Sequence, residues 1–583
     1  MEGDVPEPTV TLRSDLRAVL AALPLFKGLD DEVLRAMAAE VEWLSLPGGN
    51  TLFSAGEVSD AMYVVLSGCL GVFLAPGGDR RRFLGRIVAG DTVGEMGLVS
   101  GRPRSGTVVA LRDTEVARLS QEAFDRVFRR HPEAMLRIAQ ITVDRLESNQ
   151  LRSRGRATGA RTFAILPQSL DVDAASFASE FVKALGKFGR AELVWSVRGA
   201  AHTSHWFSVI EASNDFVVYV GEASLNAWTS LCVRQADALM LLARAENSPA
   251  EWQALMNQRD MATQRAELER WTAQQPTVPH HHVSSKEDVS RIARLVTGRA
   301  VGLVFSGGGA RGFAHIGIVK ALREAGIPAD LVGGTSMGAI MGGGVALGWS
   351  IEEMTERFRR SFVDVNPLRD YTLPIFSLVT GRKVSTLLHR EFGDVTIEDL
   401  PLPYFCVSSN LTTGQSNVHR RGTLWRWLRA SVAIPGVLPP VMNNGEVLVD
   451  GGTMNNLPVD AMRELGRGPI IGCDVGGARA FTGDARDIDV PSPWDLVGWL
   501  RKRHGRPNIF RILWRAGMVN SAATSSAHRE KTDLLLQPPL AQVDMLNWQH
   551  FERAIALGHE YTTRRLAELP ADAPVWKHSG GRV

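Results

Sequence analysis

Cysteine and tyrosine are scarce in this chain of 583 residues, which contains four of the first and five of the second. The cysteines are too widely spaced for a metal-binding pattern or for the disulfide framework of a small secreted domain; they are Cys69, Cys232, Cys406 and Cys473. The N-terminal Met-Glu-Gly-Asp also lacks the basic and then apolar pattern of a secretory signal. These absences predict a cytoplasmic protein with reduced thiols and no bound metal.

A strong excess of one charge is missing as well. The chain has 65 basic and 63 acidic residues, and its formal net charge is +2. No extended basic tract alternates with aromatic residues, so the composition argues against a nucleic-acid partner. With 44% hydrophobic residues, a chain of this length can form three domains with cores of their own.

Residues 331–351 carry no charge and are long enough to cross a membrane as a helix. Seven of them are glycine, which makes a single helix unfavourable. A buried strand at residues 330–333, a turn and a helix at residues 339–349 explain the run better. The turn is Gly334-Thr335-Ser336-Met337-Gly338, a G-x-S-x-G nucleophile elbow that exposes a serine hydroxyl, with Gly334 and Gly338 leaving room for the close packing.

A glycine cluster follows the strand predicted at residues 300–305, and it permits two interpretations. The cluster runs Gly307-Gly308-Gly309-Ala310-Arg311-Gly312 and fits the dinucleotide fingerprint, with Asp330 at the distance of a ribose-binding acid. The alternative is an oxyanion hole built from backbone N–H groups. Asp330 precedes its strand instead of ending it, and the elbow follows at once, so the oxyanion hole is favoured.

The base that activates Ser336 is predicted to be Asp450. This aspartate ends the apolar strand of residues 447–449 and precedes two glycines that let the backbone turn. His315, near the glycine loop, is interpreted as a packed helix residue. The run of histidines at 280–282 is interpreted as a linker feature, because adjacent histidines do not easily converge on one metal ion.

The order G-G-G-x-R-G, G-x-S-x-G and D-G-G resembles the patatin-like phospholipases, and residues 430–440 resemble the segment before their aspartate. The resemblance covers about residues 299–458. It implies that Ser336 is the nucleophile, Asp450 the base, and the N–H groups around Gly308, Gly309 and Arg311 the oxyanion donors. The implied reaction is hydrolysis of a lipid carboxylic ester through an acyl-enzyme without a cofactor. Acyl transfer to an alcohol and hydrolysis of neutral lipids remain alternatives on the same dyad.

The N-terminal third carries another motif. Residues 94–98 (Gly-Glu-Met-Gly-Leu) and 102–108 (Arg-Pro-Arg-Ser-Gly-Thr-Val) resemble the phosphate-binding cassette of cyclic-nucleotide-binding domains, which are β-barrels. The pocket would use Arg104 for the cyclic phosphate, Glu95 for the ribose hydroxyl, and backbone N–H groups near Gly94, Gly97, Leu98 and Ser105. Gly97 stands where alanine is more common and Val93 where phenylalanine is.

Whether the barrel binds a nucleotide stays open at the level of sequence. Both cyclic AMP and cyclic GMP fit the motif as an allosteric ligand. A barrel without a nucleotide that serves only for docking or regulation is the alternative, and so is a cyclic-nucleotide sensor whose hydrolase domain is inactive.

Between these parts, residues 161–257 alternate strands and helices, which predicts a small parallel α/β layer. It includes the turn Arg234-Gln235-Ala236-Asp237 and no phosphate loop. The order of parts resembles the neuropathy target esterase branch of the patatin superfamily, whose members are lysophospholipases and phospholipases.

The predicted fold is thus a β-barrel of the cyclic-nucleotide-binding type (1–155), an α/β spacer with a linker (156–295), and a patatin-like α/β/α domain with a parallel sheet and a C-terminal helical extension (296–583). Residues 491–515 mix aromatic and basic side chains. This composition suits either peripheral contact with an anionic membrane or a solvated helical cover.

Overall fold

Ten stretches of the chain are described by a computed structural model: residues 31–74, 82–130, 160–200, 202, 204–224, 226–244, 281–373, 377–476, 525–570 and 573–576. They divide into two units, residues Met1–Val278 and Pro279–Val583.

Short antiparallel strands form the first part of the N-terminal unit. The sheet orders are β1-β8-β3-β6 and β2-β7-β4-β5. Gly68, with φ +89°, turns the chain from one sheet to the other, and a Cβ atom there would lie 2.4 Å from the Asp113 carbonyl oxygen. The elements are α1 (Asp31–Glu40), β1 (Glu42–Leu46), β2 (Thr51–Phe53), β3 (Ala61–Ser67), β4 (Cys69–Leu74), β5 (Arg82–Val88), β6 (Thr92–Val93), α2 (Glu95–Ser100), β7 (Thr107–Ala110), β8 (Thr114–Ser120) and α3 (Gln121–Arg130).

A parallel layer with the strand order β10-β11-β9-β12 follows in this unit, as the alternation of strands and helices predicts. The connection after β9, residues 168–173, contains neither glycine nor lysine and two aspartates, so it does not form a phosphate loop. The elements are β9 (Thr162–Pro167), α4 (Ala174–Gly186), β10 (Ala191–Val194), α5 (Ser196–Gly199), α6 (Ser204–Ser213), β11 (Phe216–Val220), α7 (Ala227–Gln235) and β12 (Ala238–Leu242).

Ion pairs join the barrel to this layer, and two of them use the Arg234–Asp237 turn. Arg234 pairs with Asp113 of the barrel at 3.0 Å, and Asp237 pairs with Arg86 of the barrel at 3.0 Å. A third pair joins Arg112 of the barrel to Glu211 of α6. The predicted boundary between the two parts, at residues 155 and 156, lies outside the described residues.

The second unit is built on a sheet with the order β17-β18-β15-β14-β13-β19-β20, with β16 paired to β15. Five neighbouring strands of this sheet run parallel to one another, in the order β15-β14-β13-β19-β20. Strands β16, β17 and β18 run antiparallel to the strands they pair with. From β13 the chain passes first to β14, which pairs with one edge of β13, and much later to β19, which pairs with the other edge of β13. Loops at the carboxyl end of β13 therefore lie at a topological switch point, where open α/β sheets bind ligands.

Helices cover the sheet of the second unit, and their buried faces form its core with the strands. The elements are α8 (Lys286–Val296), β13 (Gly302–Phe305), α9 (Ala314–Glu324), β14 (Leu331–Thr335), α10 (Met337–Ala346), α11 (Ile351–Phe358), α12 (Arg382–Phe392), β15 (Tyr404–Asn410), β16 (Gln415–His419), α13 (Leu424–Ser431), β17 (Val441–Asn443), β18 (Glu446–Asp450), α14 (Val459–Glu464), β19 (Ile470–Cys473), β20 (Leu534–Leu536) and α15 (Phe551–Ala567).

Asp330 has a structural role in this unit, as its position before β14 suggests. Its buried carboxylate pairs with Arg294 of α8 at 2.8 Å and accepts a hydrogen bond from the Val301 N–H at 2.9 Å. The ribose-binding interpretation of Asp330 is therefore unsupported. The same pair ties α8 to the sheet of the second unit, residues Pro279–Val583.

Candidate active site

Ser336 lies on the sharp turn between β14 and α10. Its backbone has φ 54° and ψ −127°, a strained conformation for a residue with a side chain. A Cβ atom on Gly334 would lie 2.7 Å from the Gly338 backbone, and one on Gly338 would lie 2.5 Å from the Phe305 carbonyl oxygen. Glycine at both positions therefore permits the close packing of strand and helix that the elbow requires.

The Ser336 hydroxyl donates a hydrogen bond to Asp450, with 2.7 Å between Oγ and Oδ2. Asp450 ends β18, and its other oxygen, Oδ1, accepts from the Gly452 N–H at 2.8 Å. The two side chains are 114 residues apart in sequence and keep only 4% and 2% of their surface exposed. A serine whose hydroxyl meets a buried carboxylate directly is the geometry of a nucleophile and its base.

Burial raises the pKa of Asp450 from its ordinary value of 3.8 to about 7, against the lowering effect of the hydrogen bonds from Ser336 and Gly452. A base with a pKa close to the working pH combines a large ionised fraction with a strong tendency to take the proton.

The backbone N–H groups of the glycine loop differ in what they bind. The Gly307 N–H donates to the Asn456 carbonyl oxygen, the Ala310 N–H to the Met545 carbonyl oxygen, and the Arg311 N–H to the Gly308 carbonyl oxygen. Within the described part of the chain, the N–H groups of Gly308 and Gly309 have no acceptor. Of the five loop residues predicted from sequence, Gly308 and Gly309 are thus the best placed to bind an oxyanion.

Arg311 and Gly312 hold the loop in place. The buried Arg311 guanidinium donates to the Val543 carbonyl oxygen at 2.9 Å and to the Gly476 carbonyl oxygen at 3.2 Å. A Cβ atom on Gly312 would lie 2.3 Å from the Met337 side chain, next to the nucleophile. The Arg311 side chain therefore orients the loop, and this leaves little reason to assign it a lipid phosphate.

His315 packs inside the unit, as the sequence predicts. Its Nε2 atom is 2.9 Å from the Ser306 carbonyl oxygen, and burial lowers its pKa to about 4. The neutral ring holds the backbone just past β13 and forms no hydrogen bond with Ser336. In the stretches of chain that the structure describes, no group of three His, Cys, Asp or Glu residues is arranged to hold a metal ion.

Two further residues complete the site, and sequence reasoning did not identify either. The Ser431 hydroxyl accepts from the Ser336 N–H at 2.9 Å and donates to the Val407 carbonyl oxygen at 2.6 Å. Asn456 binds Gly307 at both of its backbone groups, with its carbonyl oxygen accepting at 3.3 Å and its Nδ2 donating at 3.3 Å. In the sequence, the segment that contains Ser431 resembles a family segment, but this resemblance assigns the serine no role.

Replacing Ser431 by alanine is expected to lower kcat about tenfold and to change KM little. The change leaves the Ser336 N–H buried without an acceptor beside a strained backbone, at a cost of roughly 1–3 kcal/mol. Steady-state kinetics with a soluble ester checks this. Ser361→Ala is the matched control, because Ser361 is equally buried but donates to Glu391. Similar kinetics for the two variants would contradict a positioning role.

In the barrel, the predicted nucleotide pocket surrounds a buried arginine. The Arg104 guanidinium donates to the Ala61 carbonyl oxygen at 2.6 Å and the Gly94 carbonyl oxygen at 3.2 Å, and it lies over the Phe53 ring at 4.2 Å. It also reaches Asp60 at 3.3 Å. A cyclic phosphate at Arg104 would therefore have to replace contacts within the barrel.

The other predicted pocket residues follow the turn into α2. Glu95 is buried at the start of this helix, Leu98 is half-buried within it, and Ser105 is exposed. A Cβ atom on Gly97 would lie 2.0 Å from the Ser59 hydroxyl oxygen. Glycine replaces the more common alanine here because Ser59 fills the space.

Comparison with known proteins defines the class of each part. Family models match residues 43–131 as a cyclic nucleotide-binding domain, residues 159–268 as the neuropathy target esterase family P-loop like domain, and residues 303–463 as patatin-like phospholipase. The predicted fold class and the resemblance to these families are confirmed. A crystal structure of a cyclic nucleotide-binding domain from Methylobacillus flagellatus is 22% identical and covers 24% of this chain and 82% of its own, with a TM-score of 0.22.

Similar proteins are found along most of the chain. An NTE family protein of Mycobacterium tuberculosis is 31% identical over 577 residues, which is 96% of this chain and 97% of that protein. The chain belongs to the neuropathy target esterase (NTE) family. Human patatin-like phospholipase domain-containing protein 6 is 29% identical over 94% of this chain, and lysophospholipase NTE1 of Phaeosphaeria nodorum is 28% identical over 91%. The chain spans less than half the length of these two relatives, 46% and 42%.

The aromatic and basic segment at residues 491–515 and the histidine at position 280 lie outside the described residues. Among the helices that are described, none has both the length and the hydrophobicity to cross a membrane.

Proposed function

We propose that this chain is a serine esterase that hydrolyses the carboxylic ester bonds of lysophospholipids and phospholipids. The contact of 2.7 Å between Ser336 Oγ and Asp450 Oδ2 carries the proposal, because it pairs an elbow serine with a base. Family membership and the names of the relatives support a lipid as the substrate.

In the proposed mechanism, Ser336 Oγ attacks the ester carbonyl carbon while Asp450 takes the hydroxyl proton. The Gly308 and Gly309 N–H groups bind the oxyanion, and each such donor contributes roughly 3 kcal/mol in other hydrolases. Asp450 then returns the proton to the departing alcohol, which leaves an acyl-enzyme on Ser336. Water attacks the acyl carbon while Asp450 takes its proton, and Asp450 then gives this proton to Ser336 Oγ as the acyl–oxygen bond breaks, which releases the fatty acid and restores the serine.

Release of fatty acid from lysophosphatidylcholine tests the proposal, with the wild type compared with Ser336→Ala. We expect activity in the wild type and none above background in the variant. If neither protein acts on this lipid, on diacyl phospholipids or on short-chain esters, the hydrolase proposal is wrong and a sensor with an inactive hydrolase domain replaces it. Transfer of the acyl group to an added alcohol in preference to water would identify an acyltransferase.

The pH dependence of the reaction should follow Asp450. We expect kcat/KM for a soluble ester to rise with pH and level off above about 7, because only the ionised carboxylate takes the serine proton. The folded state holds the carboxyl proton of Asp450 more tightly than the unfolded chain does, because the pKa of the folded state is higher. As the pH rises from the ordinary pKa of 3.8 to about 7, Asp450 therefore lowers the free energy of unfolding. A midpoint near 4 in the pH–rate profile would contradict the raised pKa.

The barrel is proposed to bind cyclic AMP or cyclic GMP and to regulate the esterase. The match of residues 43–131 to the cyclic nucleotide-binding family supports binding. The expected result is a change in esterase activity when either nucleotide is added to the wild type, and no change for Arg104→Ala. A wild type that responds to neither nucleotide would show that the barrel serves another purpose, such as docking.

A cytoplasmic location with peripheral contact to a membrane belongs to the same proposal. Its support is that Cys69, Cys232, Cys406 and Cys473 are all buried free thiols, which is usual for proteins of a reducing compartment.

A further inference from the structure

An exposed apolar segment of the catalytic unit takes no part in the chemistry described above. Tyr371 and Leu373 keep 68% and 78% of their surface exposed. Single exposed apolar residues are common, but these two lie in residues 371–381, which contain no charged side chain. We call residues 370–373 together with residues 377–380 the rim arm.

The two halves of the rim arm are bonded to each other. Tyr371 and Val379 form an antiparallel bridge, the Thr372 N–H donates to the Leu378 carbonyl oxygen at 3.1 Å, and the Thr380 N–H donates to the Asp370 carbonyl oxygen at 2.8 Å. These bonds hold the backbone of the exposed residues in a fixed place.

The rim arm is also tied to the segment that supports the catalytic base. The Leu378 N–H donates to the Gly436 carbonyl oxygen at 2.9 Å, and the Asp450 N–H donates to the Ala433 carbonyl oxygen at 2.9 Å. Gly436 and Ala433 are three residues apart, and three residues span at most roughly 10 Å. The base of the rim arm and the backbone of the catalytic base are therefore bonded to the same short segment of chain.

Positive charges flank the rim arm. Arg369, Arg382 and Lys383 are exposed, and none of the three has an acidic partner in the described residues. The acidic residue between positions 369 and 383 is Asp370, which is half-buried. Its carboxylate accepts hydrogen bonds from the Thr380 hydroxyl and the Lys383 N–H. Among the charged side chains at positions 369–383, the three exposed ones are thus all positive.

We propose that the exposed half of the rim arm, residues 371–373, rests in the headgroup region of an anionic lipid bilayer and holds the catalytic unit at the surface where phospholipid esters lie. A tyrosine beside an apolar residue suits the boundary between headgroups and acyl chains. The flanking cations are attracted to anionic headgroups. This inference rests on the proposed function, since it names the surface through which the esterase reaches its lipid.

Binding of the full chain to vesicles tests the rim arm separately from catalysis. The chain carries Ser336→Ala so that the lipid stays intact, and it is sedimented with vesicles of phosphatidylcholine with or without phosphatidylserine. We expect preference for the anionic vesicles, weakening with salt, and at least tenfold weaker binding for Tyr371→Asp or Leu373→Asp. The matched control is Leu170→Asp, because Leu170 is 95% exposed in the other unit.

A second measurement uses chains with Ser336 intact. For Leu373→Asp, the rate on vesicle phospholipid divided by the rate on a dispersed short-chain ester should fall at least tenfold. Equal loss on both substrates, or binding of Leu373→Asp like that of the wild type, would overturn the proposal. If Leu373 governs vesicle binding but no ester is hydrolysed, the proposed function fails while the lipid-binding surface stands.

Discussion

Replacing Asp450 by asparagine is expected to lower kcat/KM by a factor of about 10³ to 10⁴. Asparagine has almost the same shape, and its oxygen can still accept from the Gly452 N–H. It cannot take the proton of the Ser336 hydroxyl, whose oxygen lies 2.7 Å from Asp450 Oδ2 in the wild type. Initial rates on a soluble ester, with the folded fraction determined from denaturant unfolding, measure the effect without a contribution from the lipid surface.

Asp474 offers a matched control for this variant. It is also a buried carboxylate just past a strand, and its Oδ1 accepts from the N–H two residues on, that of Gly476, at 3.0 Å. Its other oxygen meets Arg529 instead of a serine. Asp474→Asn should therefore cost stability and only a few-fold in rate. Ser336→Ala combined with Asp450→Asn should be no slower than Ser336→Ala alone, because the two residues act as a unit. An Asp450→Asn variant with a tenth of the wild-type rate would show that another group is the base.

The parts of the site that could be predicted from sequence are those whose chemistry is local. The elbow at Ser336 needs glycine at positions 334 and 338 because a Cβ atom at either would meet backbone within 2.7 Å. This requirement leaves a recognisable pattern of neighbouring residues. The same holds for Asp450, since a carboxylate that ends an apolar strand before two glycines is visible in the sequence.

The residues that were missed act across long stretches of chain. Ser431 is 95 residues from Ser336, and Asn456 is 149 residues from Gly307. A lone serine or asparagine has no local pattern that marks it as a backbone acceptor or donor. For the same reason the sequence could not show which N–H groups of the glycine loop are left to bind an oxyanion. The Ala310 N–H, for example, is bound by the carbonyl oxygen of Met545, which lies far along the chain. The pairing of Arg234 and Asp237 with the barrel likewise depends on how the chain folds back.

Replacing Gly309 by alanine is expected to lower kcat for a soluble ester by about 10² to 10³, the effect of losing one oxyanion donor. Gly309 has φ +56°, and a Cβ atom there would lie 2.3 Å from the Met545 carbonyl oxygen. That oxygen already accepts from the Ala310 N–H at 2.8 Å. The loop would have to move away from residue 545, which would carry the Gly309 N–H away from the position where the oxyanion forms.

Gly393 separates this effect from backbone strain. Its φ is +58°, almost that of Gly309, but no atom lies within 4 Å of a Cβ built on it. Gly393→Ala should therefore lower the free energy of unfolding by roughly 1–3 kcal/mol, the strain of an alanine at φ 58° and ψ −152°, and leave kcat close to that of the wild type. Gly309→Ala should show a similar or larger loss of stability together with the loss of rate. If both variants keep their rates, the Gly309 N–H is not an oxyanion donor, and the Gly308 N–H must act with a donor outside the glycine loop.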